Sequence, residues 1–92
     1  TCALPIYNLF PAPSLAKDVL KKGGNAPTIL NAANEVAVEA FLNRKLSFLG
    51  ITHVVEMSLK RADQNGLLKE LKTLDDVLNS DQEGRKIAQS LI

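Results

Sequence analysis

Aromatic side chains are scarce: tryptophan is absent, and three phenylalanines and one tyrosine serve all 92 residues. Any core must therefore be built from Leu, Ile, Val and Ala. Cysteine occurs once, at Cys2, which excludes an internal disulfide and fits a reducing compartment. Histidine also occurs once, at His53, so His and Cys together cannot assemble a zinc-type site within the chain. No charge of one sign dominates; the net charge is +1, with no pull toward nucleic acid or an anionic membrane. No apolar run nears the ~18 residues of a membrane span, and no charged-then-apolar leader opens the chain. The expectation is a cytosolic domain. Internal repeats, low-complexity tracts and convincing strand alternation are missing as well. Apolar residues nevertheless reach 46% against 23% charged, the balance of an ordinary globular chain. One small core is what this length supports.

What is present is helical periodicity. From Asn25 to Leu42, residues Ile29, Leu30, Ala33, Val36, Ala37, Ala40 and Phe41 recur at steps of three and four, the period of a helix burying one broad face. Pro27 suits the first turn and Asn25 suits the cap. Arg44 and Lys45 complement the far pole of the helix dipole. The spacing predicts a helix from Pro27 to about Lys45, roughly 28 Å long at ~1.5 Å per residue.

A helix from about Ser14 to Lys22, with Leu15, Ala16, Val19 and Leu20 inward, precedes it and ends at Gly23-Gly24. After a turn over Leu46 to Gly50, a third helix runs from about Ile51 to Ala62. Asp63-Gln-Asn-Gly66 breaks the pattern, and Leu67 to Leu71 add a helical turn. Thr73 to Asp76 reads as a capping box opening a short helix through Leu78. Ser80 to Glu83 reads as a second box opening a last helix to about Leu91. The fold expected is all-α, a compact bundle of four main helices plus one short helix. Thr1 to Ile6 reads as the translation of a sequencing-adapter end and is set aside as a scar, leaving residues 7–92 as the domain.

Few residues offer chemistry. Asn31, Asn34 and Glu35 share one patch at i, i+3, i+4. A structural polar seam bonding backbone groups of neighbouring segments is favoured over a catalytic patch with Glu35 as base, because no His, Ser/Lys pair or glycine loop accompanies it. His53 shares a polar helix face with Glu56, Met57 and Lys60, as a solvated histidine does. Asp75 and Asp76 fit a first helical turn better than a hard-cation site. The basic pairs Lys21-Lys22, Arg44-Lys45, Lys60-Arg61 and Arg85-Lys86 lack interleaved aromatics and read as solvated helix ends.

Asn31-Ala-Ala-Asn-Glu35, preceded by Gly23-Gly24 and Pro27-Thr28 and followed by Val36-Ala-Val and Ala40-Phe-Leu42, resembles the C-terminal helical domain of 1-deoxy-D-xylulose 5-phosphate reductoisomerases. Phe10-Pro11, Phe48, Ile51, Leu74-Asp-Asp-Val-Leu78, Asp81 and Arg85 fall where that family places similar residues, so the resemblance runs from about Phe10 to Ile92. Pro13 departs from it, standing where an apolar residue is expected, and Gly50 stands where an acidic cap is expected.

The resemblance implies an enzyme of isoprenoid precursor synthesis by the methylerythritol phosphate pathway, bacterial and cytoplasmic. Full-length members use NADPH and Mg²⁺ or Mn²⁺, held in a nucleotide-binding and a catalytic domain, and are expected to be homodimers. None of the cofactor, metal or substrate motifs occurs here, so no catalytic, cofactor-binding or metal residue is assigned. The chain is expected to be a supporting domain, inactive alone, with an apolar patch left over for the other domains. A free-standing helical interaction module is the alternative, docking through Asn31/Asn34/Glu35 or through an exposed Leu67/Leu68/Leu71 stripe.

Overall fold

A computed structural model of the protein describes Lys21 and residues 23–92. Among the described residues there are three helices and no strand: α1 (Ala26–Leu42), α2 (Phe48–Gln64) and α3 (Leu74–Ser90). The helix expected over Ser14 to Lys22 lies outside the described residues apart from Lys21, as does the hexapeptide Thr1 to Ile6.

The central helix forms where its apolar period demands. Pro27 occupies its first turn, and Ile29, Ala33, Val36, Ala37 and Ala40 are buried along one face. It stops at Leu42, short of the Lys45 expected. Lys45 N–H reaches back to the Ala40 carbonyl at 2.8 Å and Arg44 N–H to Phe41 at 3.0 Å, closing the end while Arg44 takes a φ of 61°. A left-handed backbone costs a non-glycine residue about 1 kcal/mol. Arg44 and Lys45 therefore lie beyond the helix, not in its last turn.

Helix α2 begins three residues before the expected Ile51. Ser47 is the cap: its hydroxyl accepts from the Gly50 N–H at 3.0 Å, so Gly50 lies inside the first turn and needs no capping side chain. Ile51, Val54, Val55, Leu59 and Ala62 face the core, joined by Ser58, whose hydroxyl donates to the Val54 carbonyl at 2.7 Å. Gly66, at φ 68°, turns the chain out of the helix.

Residues 67–72 form no helical turn. They cross the N-terminal end of α1 as an irregular strap, and Leu67 and Leu68 pack against the core. The exposed leucine stripe, one of the two docking surfaces weighed for a free-standing module, is therefore not formed.

Thr73 does open a capping box. Its hydroxyl accepts from Asp76 N–H at 3.1 Å, and the Asp76 carboxylate accepts from Thr73 N–H at 3.1 Å. The helix then continues unbroken to Ser90, so the short helix and the last helix of the sequence reading are one. Ser80 caps nothing; it is buried in mid-helix, its hydroxyl accepting from Asn25. No proline interrupts the run. Thr73→Ala should destabilise the protein by about 1 kcal/mol in chemical denaturation, the usual effect of losing a cap.

Helices α1 and α2 run antiparallel through the five-residue connection 43–47. Helix α3 lies along α1 in the same general direction: Ser80 meets Asn25, Gly84 meets Ile29 and Ala32, and Arg85 meets Glu35. Gly84 is buried at this crossing, where an added Cβ would come within 3.1 Å of the Ile29 Cα and carbonyl oxygen. The fully buried Ile29 and Leu59 belong to the same apolar core.

Candidate functional site

Two polar constellations stand out, and only one was legible in the sequence. The unforeseen one centres on Asn25, which is 1% exposed. Its side chain does not cap α1. Its Oδ1 accepts from Lys69 N–H at 2.9 Å, and its Nδ2 donates to the Leu67 carbonyl at 2.8 Å and to Ser80 Oγ at 3.0 Å. Its backbone N–H donates to the Lys69 carbonyl at 2.8 Å. One amide thus clamps the strap to the start of α1 and to the buried side of α3. Gly24, at φ 61°, completes the clamp, since any Cβ there would collide with the Lys69 carbonyl. The asparagine's partners lie 42 to 55 residues away, and no local spacing announces them.

The anticipated patch lies on the surface. Asn31 and Glu35 are exposed and Asn34 is half-buried. Asn31 Nδ2 donates to Glu35 Oε2 at 3.4 Å, and Arg85 Nη2 donates to the same oxygen at 2.8 Å. Arg85 is also held by Asp81 one turn earlier, Nε to Oδ2 at 2.7 Å. That hydrogen bond, ahead of the surrounding charges, raises the arginine above its ordinary value. Glu35 therefore bonds side chains of α1 and α3, not the backbone groups expected of the seam. Asn34, Val38 and Leu42 line an open groove of about 470 Å³ beside this network. Because the Glu35–Arg85 pair is solvent-exposed, Glu35→Gln should cost less than about 1 kcal/mol in a urea titration.

The other candidates stay apart. His53 and Asp75 are exposed. Asp76 is engaged in the capping box, and the N–H groups of Lys72 and then Thr73 hold its carboxyl below the ordinary value of 3.8. The carboxylate's contribution is present above that value and is lost as pH falls through the lower folded-state value. Asp76→Asn should consequently make stability less dependent on pH in acid, measured as urea midpoints between pH 5 and pH 2 (a range of about one carboxyl titration). Among the described residues no group of three or more His, Cys, Asp or Glu comes together to hold a metal ion. Among them, too, no helix is long and apolar enough to cross a membrane.

Comparison with known proteins gives a consistent result. Residues 3–87 match the family model described as DXP reductoisomerase C-terminal domain, a span that begins inside the hexapeptide set aside above. The 1-deoxy-D-xylulose 5-phosphate reductoisomerase of Gluconobacter oxydans (strain 621H) is 51% identical over 78 residues, covering 85% of this chain and 18% of that protein. The Rhodospirillum centenum protein of the same name is 47% identical over 83 residues, 90% of this chain and 20% of its own. The one from Acinetobacter baumannii (strain SDF) is 42% identical over 88 residues, 96% and 21% respectively. This chain thus spans about a fifth of the length of the relatives it matches.

Proposed function

The chain belongs to the DXP reductoisomerase C-terminal domain family, and on that premise we propose that it is the supporting domain of an NADPH-dependent 1-deoxy-D-xylulose 5-phosphate reductoisomerase. The match over residues 3–87 carries this reading. The whole protein isomerises and reduces its substrate to 2-C-methyl-D-erythritol 4-phosphate, in isoprenoid precursor synthesis in the bacterial cytoplasm. It works as a homodimer. In the whole protein NADPH would supply the hydride and Mg²⁺ or Mn²⁺ would act as the Lewis acid.

Neither group fits the residues described here. Metal-ligating side chains do not converge. At Gly24 the Lys69 carbonyl fills the space that a phosphate cradle would need. No step of the reaction is assigned to this chain. Its part is to fold, to support the nucleotide-binding and catalytic domains of the same polypeptide, and to stay catalytically silent. The Asn31, Asn34 and Glu35 seam acts structurally, with Glu35 joining α1 to α3 through Arg85.

The test is NADPH oxidation with 1-deoxy-D-xylulose 5-phosphate and Mg²⁺, on this chain alone and on a chain with the preceding domains restored. Silence from the first and turnover from the second is the expected outcome. Turnover by the 92-residue chain alone would overturn the supporting role.

A further inference from the structure

Helices α1 and α2 end in the same way, and the two ends differ at one side chain. Asn43 closes α1 at φ −89° and ψ 11°, and Asn65 closes α2 at φ −86° and ψ 4°. Both are exposed, and each is followed by a residue in the left-handed region, Arg44 at φ 61° and Gly66 at φ 68°. The closing bonds match as well. Arg44 N–H donates to the Phe41 carbonyl at 3.0 Å and Lys45 N–H to Ala40 at 2.8 Å. In the same positions, Gly66 N–H donates to Asp63 at 3.1 Å and Leu67 N–H to Ala62 at 2.9 Å. The difference lies at the residue after the asparagine. Arg44 carries a side chain there, whereas Gly66 has only open space where a Cβ would stand.

We propose that Asn65-Gly66 is a site of spontaneous deamidation, and that the reaction loosens the strap from its clamp. As the exposed helix end frays, the Gly66 nitrogen leaves the Asp63 carbonyl and attacks the Asn65 side-chain Cγ. The N–Cγ bond forms, the Cγ–Nδ2 bond breaks, and the amide group departs as ammonia with the Gly66 proton. Water then opens the cyclic imide at either carbonyl, leaving aspartate or isoaspartate at residue 65. No electrons are exchanged and no cofactor is needed. Beside Asn43, the Arg44 side chain crowds the corresponding nitrogen. Asn31, Asn34 and Asn79 lie inside helices, whose continuing bonds hold the backbone away from the side chain. Asn25 is buried with both ends of its amide bonded. Either product puts a carboxylate at the negative pole of α2. Isoaspartate also adds a backbone carbon just before Leu67, whose carbonyl accepts from Asn25 at 2.8 Å. The strap then loses its register with the asparagine.

The experiment incubates the full-length protein containing this domain at neutral pH and maps its peptides by mass spectrometry over time. Conversion at Asn65 should outrun conversion at Asn43 by about tenfold, with isoaspartate among the products. Gly66→Ala should slow Asn65 to the rate of Asn43, since the added Cβ meets no neighbour yet crowds the nitrogen. Equal rates at the two asparagines, or an Asn65 that keeps its amide, would overturn the site. So would a Gly66→Ala variant that reacts as fast as the parent. For the strap, modified and unmodified protein are separated by charge and compared by hydrogen exchange. The Lys69 N–H, bonded to Asn25 Oδ1 at 2.9 Å, should exchange about tenfold faster in the modified fraction. Equal exchange in the two fractions would overturn the loosening.

Discussion

Asn25→Leu is expected to lower the unfolding free energy by about 3–5 kcal/mol, a large share of what a small domain possesses. The leucine cannot bond the Lys69 N–H, the Leu67 carbonyl or the Ser80 hydroxyl, all of which the asparagine satisfies. Each group left buried without a partner costs about 1–3 kcal/mol. The strap and α3 then lose their common anchor at the start of α1. Asn25→Asp should do less harm, because one oxygen still accepts from Lys69, yet its other oxygen faces the Leu67 carbonyl without a proton to share. Urea midpoints of the two variants measure both effects. A loss below about 1 kcal/mol for the leucine variant would mean that water replaces the clamp at little cost.

Gly84→Leu carries the second large effect, a loss of about 3 kcal/mol from overpacking. Helices α1 and α3 approach so closely at Gly84 that even a Cβ would sit 3.1 Å from the Ile29 backbone and from Ala32 Cβ. Backbone atoms of a buried helix cannot step aside as a flexible side chain would, so a leucine has to push the helices apart. Gly84→Ala separates two opposing contributions. Alanine gains about 1 kcal/mol of helix propensity over glycine and meets the tight contact with Ile29. Its net change should therefore be small beside that of leucine. Thermal or chemical unfolding checks both; equal stability of the leucine variant would show that the crossing has slack.

These two residues also mark what the sequence conveys and what it withholds. The 3.6-residue period located α1 and α2 to within a few residues, because burial of a continuous face is a local property of the chain. The Thr73 to Asp76 capping box is local too, and it formed as read. Ser80 to Glu83 has the same spacing without the same outcome. Ser80 is held at mid-helix by an asparagine 55 residues earlier, and a spacing rule cannot see that distance. Asn25 was misread for the matching reason: asparagine before a helix is most simply a cap, and its long-range bonds have no local signature. The Leu67 to Leu71 segment looked helical because leucine favours helices, but strap bonds to Asn25 and core burial of Leu67 and Leu68 prevail. The seam at Asn31, Asn34 and Glu35 was visible as a cluster, whereas its partner Arg85, on another helix, was not.

The most direct test of the supporting role is kcat/KM of the full-length reductoisomerase bearing Asn31→Ala, Asn34→Ala and Glu35→Ala together. With the fold intact by circular dichroism, the supporting role predicts a value within about tenfold of the unmodified enzyme, the residues of the seam standing away from the reacting atoms on that proposal. A fall of about 10²-fold or more at unchanged stability, the size expected for loss of an acid or base, would contradict the account and place chemistry in the seam.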